Sequence, residues 1–223
     1  MKAIYLTLFS FILLSTACEK IKKQQQHKNS INTLISRVSS GDASAIDQLI
    51  SELSVAESDL DNTHLIGELY YDAGYAVNEL GLVQKKVSHH EKARELFKKA
   101  DNHIDDDQGL LNQGTITTAL ASTYHRIGLL LYPDPRAKAE LDTALTLYTE
   151  ATKILRASQD FQNLSITLYS KASIYATWGD YDRAIPLLEE AVSLDRKHNL
   201  PDLAEDEALL KQIKHLQSEQ RNR

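Results

Sequence analysis

Histidines spaced near carboxylates are the residues in this 223-residue chain that come nearest to metal chemistry. His64 and Glu68 stand four apart, and His89, His90 and Glu91 precede Glu95, spacings that a helix brings to one face. Two donors on a face fall short of the three or four ligands a transition metal takes, so both groups read as solvated surface. His103, Ile104, Asp105, Asp106 and Asp107 have the acidity of a calcium loop but lack its glycine and its twelfth-position glutamate. They read as a helix end running into a polar connection. His125 beside Arg126 is the one pair suited to an anion. Nucleophilic chemistry has no frame: there is no Gly-x-Ser-x-Gly turn, no glycine-rich phosphate loop, no His-Glu-x-x-His and no cysteine pair. No catalytic residue, metal or cofactor is expected, and the chain is not expected to be an enzyme. Cys18 is the single cysteine, so no intrachain disulfide can form.

The surroundings of Cys18 suggest a use for it. Lys2 is followed by an apolar run over residues 3–14, too short for a bilayer, which takes roughly 20 residues, and fitting a secretory leader. Leu14-Ser15-Thr16-Ala17-Cys18 then resembles a bacterial lipobox. The resemblance implies cleavage after residue 17, lipid on the Cys18 sulfur and a membrane-anchored protein of the cell envelope, facing the periplasm. Two or three acyl chains hold far more firmly than one, at about 0.8 kcal/mol per buried methylene. Ser15 and Ala17 also fit an ordinary cleavage site, and an uncleaved anchor is the third reading. Glu19 rather than aspartate after the cysteine leans towards the outer membrane. Residues 18–30 are polar and rich in lysine and glutamine, without the apolar surface to offset ordering, so a flexible tether is expected there.

Behind the tether the chain must supply a scaffold, and its composition is helical. Only 8 glycines and 4 prolines occur, no alternating strand pattern appears, and 31 acidic residues outnumber 25 basic ones. Nucleic acid, which calls for a basic stripe, is not an expected partner. Over residues 165–198, Leu168, Ala172, Tyr175, Gly179, Ala184, Leu188 and Ala191 recur so that small side chains let two helices close while large ones fill the space between pairs. This closely resembles a tetratricopeptide repeat, the helix-turn-helix unit of 34 residues. Lys171 and Arg196 depart from its pattern. Weaker copies run through Thr117, Leu120, Ala121, Tyr124 and Gly128, and through Tyr70, Ala73, Gly74, Val77 and Gly81, each separated from its second helix by an insertion.

The resemblance implies an all-α, right-handed solenoid of stacked helix pairs: a degenerate pair at 31–60, about three repeats at 61–198, and a capping helix and tail at 199–223. It also implies that first helices line a concave groove for a protein or peptide. In that register the first copy offers Tyr71, Tyr75, Asn78 with Glu68 and Glu79, the second Thr118, Ser122, His125, Arg126 with Thr115, and the third Tyr169 and Ser173 with Ile166. The lysine-asparagine cage that grips terminal carboxylates in some relatives is absent. The resulting expectation is a lipid-anchored adaptor; an enzyme or small-ligand receptor built around the 129–141 insertion is the alternative.

Overall fold

Asparagine or aspartate stands at the entrance to four of the helices, and in each case its side chain accepts the backbone N–H three residues on. Asn62 takes that of Leu65, Asn112 that of Thr115, Asp160 that of Asn163 and Asp180 that of Arg183. Exits are equally well marked: Lys85, Gln159 and Asn199 adopt left-handed backbone, with φ of 52°, 58° and 53°. Gly41 at φ 104° and Gly179 at φ 71° make two further turns, where a side chain would be strained.

The computed structural model describes residues 2–104 and 111–222, with side chains from residue 18 onward. Among the described residues the chain forms nine α-helices and no strand: α1 (Lys2–Ser39), α2 (Ile46–Asp59), α3 (Thr63–Gln84), α4 (Val87–Asp101), α5 (Gln113–Leu131), α6 (Pro135–Ser158), α7 (Phe161–Thr177), α8 (Tyr181–His198) and α9 (Leu203–Arg221). A short 3-10 turn, Ala43–Ala45, leads into α2. Neighbours pack as antiparallel pairs, α3 with α4, α5 with α6 and α7 with α8, and each second helix packs on the next first helix, so α9 rests on α8 as α7 rests on α6. This is an all-α solenoid of the tetratricopeptide kind.

Close approach within a pair depends on missing side chains. A Cβ on Gly74 would sit 2.8 Å from the Phe97 ring of α4, and one on Gly128 would sit 2.6 Å from Leu141 of α6. In the last pair Ala172, Ala184 and Ala191 are fully buried and Leu168 and Leu188 nearly or wholly so. Tyr175 is only partly buried, with the Arg183 guanidinium 4.4 Å above its ring. The insertions lengthen helices: α5 runs to Leu131 and α6 restarts at Pro135, so residues 129–141 form a helix end, a short turn and a helix start. No protruding loop or lid results.

The expected tether is the clearest departure. Residues 19–30 are helical and continuous with the part of α1 that buries Ile31, Leu34 and Val38. Polar contacts, which an argument from apolar burial does not count, hold this stretch against the end of α2. Lys23 pairs with Asp59 at 2.9 Å, and the His27 ring lies between Glu52 at 3.0 Å and Asp59 at 3.2 Å. His27 is buried among them. Glu57 of α2 ties the first pair to the second. Burial would raise its pKa, but hydrogen bonds from Tyr70, His103 and Lys99 hold it down at about 2. Among the described residues no helix is long and apolar enough to cross a membrane.

Candidate functional site

First helices α3, α5 and α7 lie side by side, and two sets of residues line their junctions. One set is a polar seam, mostly buried. Asn78 is only 3% exposed; its amide donates to Ser122 Oγ at 3.1 Å and its carbonyl oxygen accepts from His90 Nδ1 at 2.6 Å. Arg126 reaches back from α5 to donate to the Asn78 backbone carbonyl at 3.1 Å and to Glu79 Oε1 at 2.7 Å. Thr118 and Thr167 join α5 to α7 through a 2.8 Å hydroxyl contact, and Asn163 donates to Thr115 Oγ1 at 3.2 Å. Paired in this way, the polar groups cost little to bury.

The seam corrects several expectations. Asn78, Thr118 and His125 were expected in the groove and are buried between helices. The α3/α5 contact closes over Asn78, the α5/α7 contact over Thr118, and Tyr148 of α6 over His125. His125 packs edge-on against Tyr148, and burial, with the nearby Arg126 charge, lowers its pKa to about 4. A neutral imidazole beside an arginine already committed to Glu79 is no anion grip. His89 and His90 are buried too, rather than solvated. Burial, reinforced by Arg126, puts His90 at about 4. His64 and Glu68 make a 3.4 Å pair, and among the described residues no group of three metal-capable side chains gathers. Asp105, Asp106 and Asp107 lie outside the described residues. The cavities at the α8/α9 junction, beside Lys20 and Asn62, along residues 145–153 and beside Tyr181 and Gln220 are lined by no residue of 129–141.

The second set faces outward. Tyr75 on α3 is 55% exposed, with Tyr71 and Asp72 beside it and Glu68 one turn back; Ile166 on α7 is 37% exposed. Tyr71, Tyr75, Ser122, Arg126, Tyr169 and Ser173 retain at least partial exposure. Tyr169 donates to Glu205 of α9 at 3.1 Å, so the cap helix takes up its polar tip. Electrostatically this face is acidic. Desolvation by the flanking helices raises the pKa of Asp72, Glu68 adds to it, and Lys28 of α1 partly offsets it. Desolvation likewise pushes Tyr71 up to about 12, aided by Tyr75, Asp72 and Asp160. Asp72 is the residue that reasoning from repeat positions missed, since it falls between the positions assigned to the groove. Its place between two tyrosines was the available signal.

Cys18 is exposed on α1, with a free thiol. Residues 166–198 match a family model described as a tetratricopeptide repeat. No curated protein matches the chain. Among solved structures the chain is similar to the crystal structure of BtubC (BKLC) from P. vanneervenii, at 14% identity and a TM-score of 0.35, over 92% of this chain and 93% of that one. At that score the likeness bears on nothing further.

Proposed function

We propose that this chain is a lipid-anchored adaptor of the bacterial cell envelope whose first-helix face holds a protein or peptide segment rich in lysine and arginine. The observation that carries the reading is the group on α3 in which Asp72 and Tyr75 are exposed, Tyr71 is half-buried beside them, and Glu68 backs all three. Tyrosine offers a large contact with few rotors to freeze and a ring face that attracts cations. Adjacent carboxylates add complementary charge, which steers encounter and selects against acidic partners. The tetratricopeptide match at 166–198 supports a protein-interaction scaffold of this kind.

The lipobox-like residues 14–18 support anchoring at Cys18 on the periplasmic side, with the outer membrane preferred from Glu19. Because α1 is docked from its polar stretch onward, an acyl chain on Cys18 would hold the first helix pair directly at the membrane surface, with no slack segment between. Cys18→Ser should abolish incorporation of labelled palmitate; label retained in that variant contradicts the anchor. The binding reading is tested by titrating lysine-rich and glutamate-rich peptides of equal length. Lysine-rich peptides should bind, and Tyr75→Ala and Asp72→Asn should each weaken them by about tenfold. Equal binding of both peptides, or variants that bind as the parent does, would overturn it.

A further inference from the structure

A second surface lies at the far end of the stack, on different residues and of opposite charge. Helices α8 and α9 leave between them a trough of about 870 Å³. Its lining residues fall at one-turn spacing on each helix, so each helix turns a single stripe towards it. Val192 and Leu210 form the apolar floor; Arg196 and Lys197 from α8 and Lys211 and Lys214 from α9 supply the walls. Two carboxylates answer these four cations. Glu207 takes Arg196 at 2.6 Å and Glu189 takes Lys214 at 2.6 Å. Among the described residues Lys197 and Lys211 have no ion-pair partner. In a chain of formal charge −6 this is a local reversal of sign.

The repeat itself indicates what such a trough receives. Second helices are linked from one pair to the next by ion pairs: Lys99 of α4 to Glu57 of α2 at 3.0 Å, Arg94 of α4 to Glu140 of α6 at 2.7 Å, and Arg156 of α6 to Glu190 of α8. Aligning Ala144, Tyr148 and Ala151 of α6 with Ala184, Leu188 and Ala191 of α8 puts Arg156 in register with Arg196. Arg156 thus reaches the carboxylate of the following second helix, whereas Arg196 turns to Glu207 of α9 and leaves Lys197 and Lys211 as the trough's cations without an ion-pair partner among the described residues. Meanwhile α9 packs on α8 as a first helix does, and no described helix occupies the second-helix place beside it.

We propose that the α8/α9 trough docks an acidic amphipathic helix from a partner protein, which lies where a further second helix of the stack would lie. Its apolar stripe covers Val192 and Leu210, and its glutamates or aspartates meet Lys197 and Lys211. Helix-in-groove recognition of this kind reads apolar residues at helical spacing and charges beside them. The inference goes beyond the adaptor reading and is independent of it, since no residue of the Tyr71-Tyr75 group takes part.

The test uses the full chain and a series of helical peptides that share one leucine stripe and differ only in flanking charge, from acidic to basic. Binding is followed by anisotropy and by amide shifts at Val192 and Leu210. The acidic peptide should bind, with shifts at both residues, and the basic one should not. Lys197→Glu combined with Lys211→Glu should weaken binding by about tenfold and weaken its salt dependence. Tyr75→Ala should leave this binding unchanged while weakening that of lysine-rich peptides at α3 by about tenfold. The proposal fails if acidic and basic peptides bind alike, if neither binds, or if charge reversal has no effect. It fails equally if the cations prove to serve anionic vesicles or a second copy of the chain, seen as flotation with the vesicles or as concentration-dependent mass in sedimentation.

Discussion

The middle of the stack and its C-terminal cap both bury titratable side chains, and they do so with opposite consequences. In the middle pairs burial empties two imidazoles of charge: His90 of α4 against α3, and His125 of α5 against Tyr148 of α6, are both lowered to about 4. At the α8/α9 junction it does the reverse for an acid. Asp195 is fully buried and accepts from Ser165 at 2.5 Å; Asp206 of α9 lies against it, and burial together with the Asp195 charge pushes Asp206 up to about 7. Both are the same effect, since desolvation penalises whichever form is charged. The lesson is that acidification should loosen the centre of this molecule while tightening its cap.

The largest expected effect breaks the centre directly. Asn78→Leu keeps the branched outline of the side chain but strands His90 Nδ1, Ser122 Oγ and the seam around them, and should lower stability by about 1–3 kcal/mol in urea unfolding. A result within error of the parent would mean that the seam is wet. Next comes pH. The unfolded histidines titrate near 6.5, so the stability their neutral forms allow is intact above that value and is lost as pH falls through about 4. Amide exchange in α3–α4 around His90 and in α5–α6 around His125 should quicken over that window.

Asp206 has the other sign. Its folded pKa is raised, so between about 4 and about 7 the folded state binds the extra proton, and stability from this group declines as pH rises through the window. Protection of α9 should therefore fall from pH 5 to pH 8 in the parent chain. Asp206→Asn, which keeps a donor towards Asp195, should remove that fall. If α9 protection is flat in the parent, the carboxyl pair does not share a proton. The smallest effect on stability is expected on the open face, where Tyr75→Ala should change the unfolding free energy in urea by no more than about 0.5 kcal/mol while weakening peptide binding. A large destabilisation there would make Tyr75 a packing residue.

Much of this architecture was legible in residue size and spacing. The alanines at 172, 184 and 191 and the glycine turn at 179 announce stacked pairs, because they act through local geometry. What was not legible depends on tilt and on long-range partners. Whether Asn78 faces a groove or a neighbour turns on how closely α3 meets α5, which no single helix encodes. Adjacent histidines at 89 and 90 look like surface until Gly81 opposite them makes room; a Cβ there would stand 2.8 Å from the His90 ring. Residues 19–30 looked unable to order because ordering was weighed in apolar area alone. Their partners, Glu52 and Asp59, sit on another helix.

The central claim is that the outward face of α3, and not the polar seam behind it, makes this chain an adaptor for basic segments. The most direct measurement is the set of amide shifts on adding a lysine-rich peptide to the full chain. Shifts centred on Tyr71, Asp72 and Tyr75, lost in Asp72→Asn, are the result the account requires. Shifts centred on Asn78 and His125, or spread evenly over the surface, would contradict it.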